Sequence, residues 1–84
     1  LSSENAAENA VVIDARGLKC PMPVLKAEKR LSLAAPGERF MVLATDPLAR
    51  IDVAAFCQKA GHACSLDEAD GVLRFAIIAG PRRG

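Results

Sequence analysis

Asp14-Ala15-Arg16-Gly17-Leu18-Lys19-Cys20-Pro21-Met22-Pro23 is the stretch in which the hydrophobic period of the chain changes. Before it, Val11-Val12-Ile13 is a short β-branched run suited to a strand, and Asp14 to Gly17 read as the turn leaving that strand. After it the spacing is helical. Val24, Ala27, Leu31 and Ala34 recur on one face, with Lys26, Lys29 and Arg30 on others, until Ala35-Pro36-Gly37 stops the run.

The rest of the chain follows the same logic. Phe40 to Ala44 is apolar at consecutive positions, as in a central strand covered on part of both faces, and Asp46-Pro47 punctuates its end. Asp52 is placed to cap a second helix over Val53 to Ala60, with Gly61 as its left-handed stop and Val53, Phe56, Cys57 and Ala60 on its buried face. Ala63 to Leu66 and Val72 to Ile78 read as two strands joined through Asp67 to Gly71, where Asp-Gly is a strong hairpin signal. The order βαβαββ predicts an α/β two-layer sandwich, a four-stranded mixed sheet with two helices on one face and some polar surface on the other. Residues 11–79 form the single expected domain, with flexible tails at residues 1–10 and 80–84.

Composition removes several function classes. A formal net charge of +1 gives no field to gather polyanions, and Phe40, Phe56 and Phe75 all fall in apolar-patterned runs, so direct nucleic-acid binding is not expected. No apolar run reaches the length of a membrane span and no secretory pattern opens the chain, which makes the cytoplasm the expected location and a membrane partner unexpected. Cys20, Cys57 and Cys64 are odd in number and irregularly spaced, unlike a disulfide framework, and there is no C-x-x-C pair. Cys57 and Cys64, with His62 nearby, lack a fourth ligand and zinc spacing; both cysteines are expected to pack in the core, and no metal is expected. No Gly-rich phosphate loop is present, so no cofactor is expected either.

Chemistry concentrates at Cys20. With Pro21 at the first helical position and Pro23 in the first turn, Cys20 falls at or beside the helix N-cap, on a corner stiffened by two fixed φ angles. There the helix-end field, aided by Arg16 and Lys19, is expected to lower the Cys20 pKa below the roughly 8.5 of a free cysteine. A persulfide, also an anion, would gain from the same field. The competing reading is a packed, inert thiol, since free cysteines are often buried. His62 as a general base for Cys20 requires a geometry that spacing does not supply. Lys26, Lys29 and Arg30 are a solvated helix face in the plain reading and a docking patch for acidic partner surfaces in the sharper one.

Asp14-x-x-Gly17-x-x-Cys20-Pro21-x-Pro23 resembles the signature of the TusA, or SirA-like, family of sulfur carriers, over roughly residues 11–79. Thr45-Asp46-Pro47, the Asp52 helix start, Gly61-His62 and Gly71-Val72-Leu73-Arg74-Phe75 extend the resemblance. It implies a persulfide relay in which a cysteine desulfurase or rhodanese-like donor loads Cys20 and an acceptor protein's cysteine unloads it. The routes served by such carriers include tRNA wobble-uridine thiolation, molybdenum-cofactor metabolism and sulfur oxidation. Carried onto this sequence, Cys20 is the carrier, Pro21 and Pro23 the rigid helix start, and Asp14 and Gly17 structural parts of the motif. Arg16 and Lys19 occupy variable places and join Lys26, Lys29 and Arg30 as candidate docking residues on a chain expected to be monomeric. The alternatives are a regulatory or RNA-associated interaction domain, which would not need the Cys-Pro-x-Pro helix start, and a sulfurtransferase with its own small-molecule turnover.

Overall fold

The computed structural model describes residues 10–81. Its elements run β1 (Val11–Ala15), α1 (Met22–Leu31), β2 (Arg39–Ala44), α2 (Ala49–Ala60), β3 (Ala63–Ala69) and β4 (Val72–Ile78). The four strands form one mixed sheet in the order β1-β2-β4-β3, with β1 and β2 parallel and the other two pairings antiparallel. The expected βαβαββ two-layer architecture is the one observed.

Alternation explains the layers. Ile13 and Ala15 of β1, Phe40, Val42 and Ala44 of β2, and Leu73, Phe75 and Ile77 of β4 are all buried on the helix-bearing face. Ala27 and Leu31 of α1 and Ala49, Val53 and Cys57 of α2 close over them. Phe40 and Phe75 are the largest fully buried side chains, and truncating such a ring to Ala costs about 3–5 kcal/mol. The other sheet face mixes exposed or half-buried Val12, Met41, Leu43, Ala76 and Ile78 with Arg39 and Arg74. Arg74 pairs there with Asp67, its cross-strand neighbour.

The elements differ from expectation at their ends. The hairpin closes through a two-residue turn at Asp70 and Gly71, with φ of 54° and 78°, so β3 runs to Ala69 rather than Leu66. Two successive positive φ values are the primed turn that matches strand twist, and Asp-Gly is suited to it. α2 starts at Ala49, four residues before the expected Val53, because Asp46 and not Asp52 organises its start: the Leu48 N–H donates to Asp46 Oδ1 at 3.0 Å. β3 is an edge strand whose seven residues are all exposed, and Cys64 with them. The expectation that Cys64 packs in the core is therefore wrong, whereas Cys57 is buried. Residues 1–9 and 82–84 of the expected tails lie outside the described residues. Gly80 donates its N–H to His62 Nδ1 at 2.9 Å.

Candidate functional site

Because β1 and β2 are parallel neighbours, with Ala15 beside Ala44, the loops that follow them leave the same sheet edge together. The first holds Arg16 to Pro21 and leads into α1; the second holds Thr45 to Leu48 and leads into α2. Ligands in α/β sheets gather at such carboxyl ends. The two loops are tied directly: the Gly17 N–H donates to Thr45 Oγ1 at 2.9 Å and the Cys20 N–H to Asp46 Oδ2 at 2.7 Å. Gly17, at φ 82°, occupies the left-handed region that favours glycine.

Asp14 shapes the exit from β1. It accepts the Arg16 backbone N–H at 3.1 Å and takes the Arg16 guanidinium through two bonds of 2.9 Å. That guanidinium holds the Asp14 carboxyl well below the usual carboxylate range. Lys26 reaches back from α1 to the Asp14 carbonyl oxygen at 2.7 Å. Arg30 pairs with Glu38 at 3.6 Å and lies over the Phe40 ring. Of the five basic docking candidates, then, Arg16, Lys26 and Arg30 are engaged within the fold; among the described residues, neither Lys19 nor Lys29 makes a salt bridge.

Cys20 is exposed, two residues before the first residue of α1. The N-cap position belongs to Pro21 and Pro23 is the second helical residue, so the helix starts one residue later than the sequence suggests and each proline sits one place earlier relative to it. Cys20 Sγ donates to Asp52 Oδ2 at 2.7 Å, bridging the starts of the two helices. This hydrogen bond, followed by partial desolvation and the charges of Asp52 and Asp46, raises the Cys20 pKa. The expected lowering by the helix end is overturned, and the reason is local. Pro21 and Pro23 have no N–H, and the Met22 N–H is spent on the Lys19 carbonyl at 2.8 Å. Few donors remain to favour an anion, while a carboxylate touches the sulfur.

Asp46 is the turn-maker the sequence suggests and Asp52 is not the helix cap, but the contact of both with Cys20 is what sequence reasoning missed. They lie 26 and 32 residues from Cys20, beyond any local pattern. The available signal was that Asp46 lies in the loop leaving β2 and Asp52 in the first turn of α2, both at the end of the sheet from which the Cys20 loop leaves. His62 is at the far end of α2 from Asp52, about 15 Å along the axis at 1.5 Å per residue, with its Nδ1 accepting from Gly80; it does not serve Cys20. Cys57, Cys64 and His62 line one surface cavity, yet among the described residues no three metal-ligating groups converge. No described helix is long and apolar enough to cross a membrane.

The profile described as Sulfurtransferase TusA matches residues 11–78, which span both helices, the sheet and the Cys20 loop. The chain belongs to the TusA family. A candidate sulfur carrier protein of Neisseria meningitidis serogroup A is 41% identical over 70 residues, covering 82% of this chain and 95% of its own. The candidate sulfur carrier YrkF of Bacillus subtilis is 38% identical over 71 residues, which cover 83% of this chain and only 38% of YrkF. Among solved structures, the SirA-like protein of Desulfitobacterium hafniense superimposes with a TM-score of 0.76 at 33% identity, covering 83% of this chain and 97% of that one. These TusA relatives make this a sulfur-carrier fold, with Cys20 the exposed thiol where its two helices begin.

Proposed function

We propose that the chain carries sulfur as a persulfide on Cys20, received from a cysteine desulfurase or rhodanese-like donor and passed to a cysteine of an acceptor protein. The observation that carries this reading is the placement of Cys20: an exposed sulfur on a loop pinned to a second loop and a second helix by Asp46 and Asp52. A thiol held this way is accessible to a macromolecule yet fixed in direction, as transfer between two proteins requires.

Loading is an exchange in which the Cys20 thiolate attacks the terminal sulfur of the donor's cysteine persulfide. A sulfur–sulfur bond forms at Cys20, the donor's own sulfur–sulfur bond breaks, and the donor cysteine departs as a thiolate. Unloading repeats the step with an acceptor thiolate attacking the terminal sulfur and Cys20 as the leaving group. Oxidation state is conserved over the pair, so no external oxidant or reductant enters. Asp14, with Arg16 and Lys26 bonded to it, shapes the loop; Gly17 supplies its left-handed turn; Pro21 and Pro23 stiffen the helix start. Of the five docking candidates, Lys19 and Lys29, which make no salt bridge among the described residues, are the ones left to steer an acidic partner surface.

Incubation with a cysteine desulfurase and cysteine tests the reading by intact mass. Wild type gains one sulfur that a reductant removes, and peptide mapping places it on Cys20. Gain at Cys57 or Cys64 instead would sink it. Trapping of mixed disulfides at Cys20 identifies the acceptor, and with it whether the sulfur goes to tRNA thiolation, molybdenum cofactor or sulfur oxidation.

A further inference from the structure

The hydrogen bond from Cys20 Sγ to Asp52 Oδ2 is more than a clasp between helices. In this geometry the sulfur is the donor, so the contact exists only while Cys20 keeps its proton. Thiolate formation would place two negative charges 2.7 Å apart, with the Asp46 carboxylate also nearby. Among the described residues, the charged groups that act on the sulfur from other elements are carboxylates, and the cation nearby is Lys19 of its own loop. The first turn of α1, Met22 to Leu25, holds no charged side chain; Asp52 and Asp46 face the sulfur from α2 and the loop before it; Lys19 acts on Asp46. Among the described residues, neither Asp46 nor Asp52 takes part in a salt bridge.

We propose that Asp52 controls when Cys20 becomes a nucleophile: it holds the sulfur as a thiol in the free carrier, and releases it as a thiolate when a docked partner's cationic side chain neutralises the Asp52 carboxylate. This rests on Cys20 being the sulfur carrier and names the chemistry a donor must bring, a Lys or Arg beside its persulfide. In the free protein the same contact restrains Cys20 from adventitious oxidation and alkylation, which need the thiolate. In the complex the Cys20 proton passes to solvent and the loading exchange follows. Asp52 is thus a positioning and charge-control residue rather than the final proton acceptor, because a carboxylate is too weak a base to hold a thiol's proton.

The test is the pH profile of Cys20 alkylation by iodoacetamide, read by peptide mapping on the full chain for wild type, Asp52→Asn and Asp52→Glu. Asp52→Asn is expected to lower the midpoint by at least about one pH unit and raise the neutral-pH rate about tenfold, whereas Asp52→Glu keeps the charge and stays near wild type. An unmoved or raised midpoint in Asp52→Asn overturns the proposal. A second measurement compares a trimethylammonium-bearing methanethiosulfonate with a sulfonate-bearing one. Wild type should prefer the cation, and the preference should collapse in Asp52→Asn and at high salt; equal rates in wild type overturn the cationic-partner half. Sulfur loading of wild type by a desulfurase is scored separately: no gain on Cys20 despite a shifted alkylation profile defeats the relay reading and leaves the control of the thiol by Asp52 standing.

Discussion

Helix α2 touches two thiols, and it holds each protonated for a different reason. In its first turn Asp52 accepts a hydrogen bond from Cys20, so a charge on the surface works against the thiolate. Five residues on, about 7 Å along the axis, Cys57 points into the core and burial pushes its thiol up to about 12. The difference matters for chemistry. A charge can be neutralised by a docking partner while the fold stays intact, whereas desolvation is removed only by opening the core. One thiol can therefore be switched on by contact and the other cannot.

The largest effect expected is at Cys20 itself. Cys20→Ser should abolish sulfur gain from a desulfurase and cysteine while leaving circular dichroism and thermal midpoint near wild type, since the side chain is exposed. If the Ser variant gains sulfur as wild type does, the distinction between the two thiols has no bearing on transfer. Next in size is the contrast in alkylation. Each pKa unit is tenfold in thiolate, and burial adds an access barrier, so Cys57 should label at least about a hundredfold more slowly than exposed Cys20 at neutral pH. Rates at Cys20 should still climb with pH through neutrality, because its pKa lies on the high side. Denaturant should erase the contrast. Equal labelling of Cys57 in the folded chain would mean that the core around α2 opens readily.

How much of this was legible in the sequence depends on how far each cause acts along the chain. The element order followed from local signals: the β-branched run at Val11, the helical spacing from Val24 to Leu31, and the Asp70-Gly71 turn. Cys20 stood out through its prolines. Its electrostatics did not, because the deciding groups, Asp46 and Asp52, reach it from across the fold. Counting a helix N-terminus as anion-favouring also overstates the field when prolines have removed the donors that create it. Cys64 was misplaced for a related reason: alternation in a strand gives which face a residue takes but not whether the strand lies at the sheet's edge.

A smaller effect should separate the free basic side chains from the engaged ones. Charge reversal at Lys19 or Lys29 should slow loading by a few-fold, through association, with the loss shrinking as salt rises, since exposed charges are screened beyond about 8–10 Å near physiological ionic strength. Lys26→Glu should behave differently. Its ammonium is bonded to the Asp14 carbonyl, so the change disturbs the loop, and its effect should persist at high salt. Salt-independent losses at Lys19 and Lys29 would remove the steering role.

The smallest effect expected is on stability at alkaline pH, and it tests the Cys57 half of the contrast. The unfolded chain loses the Cys57 proton near the free-cysteine value of about 8.5, whereas the folded chain keeps it until about 12. Between these values the native state binds the extra proton, so by linkage its stability must fall as pH rises, and the contribution is fully present only below the unfolded pKa. Cys57→Ala removes this titration along with some packing. The variant should begin less stable at neutral pH, because a buried sulfur is replaced by a small void, and lose less with pH between about 9 and 12. Denaturant midpoints across that range give the comparison, with Cys20→Ser alongside as the exposed control. Parallel pH slopes for wild type and Cys57→Ala would mean that Cys57 does not keep its proton in the folded state through that range. The two thiols would then differ in exposure alone, and desolvation could no longer be named as what holds Cys57 inert.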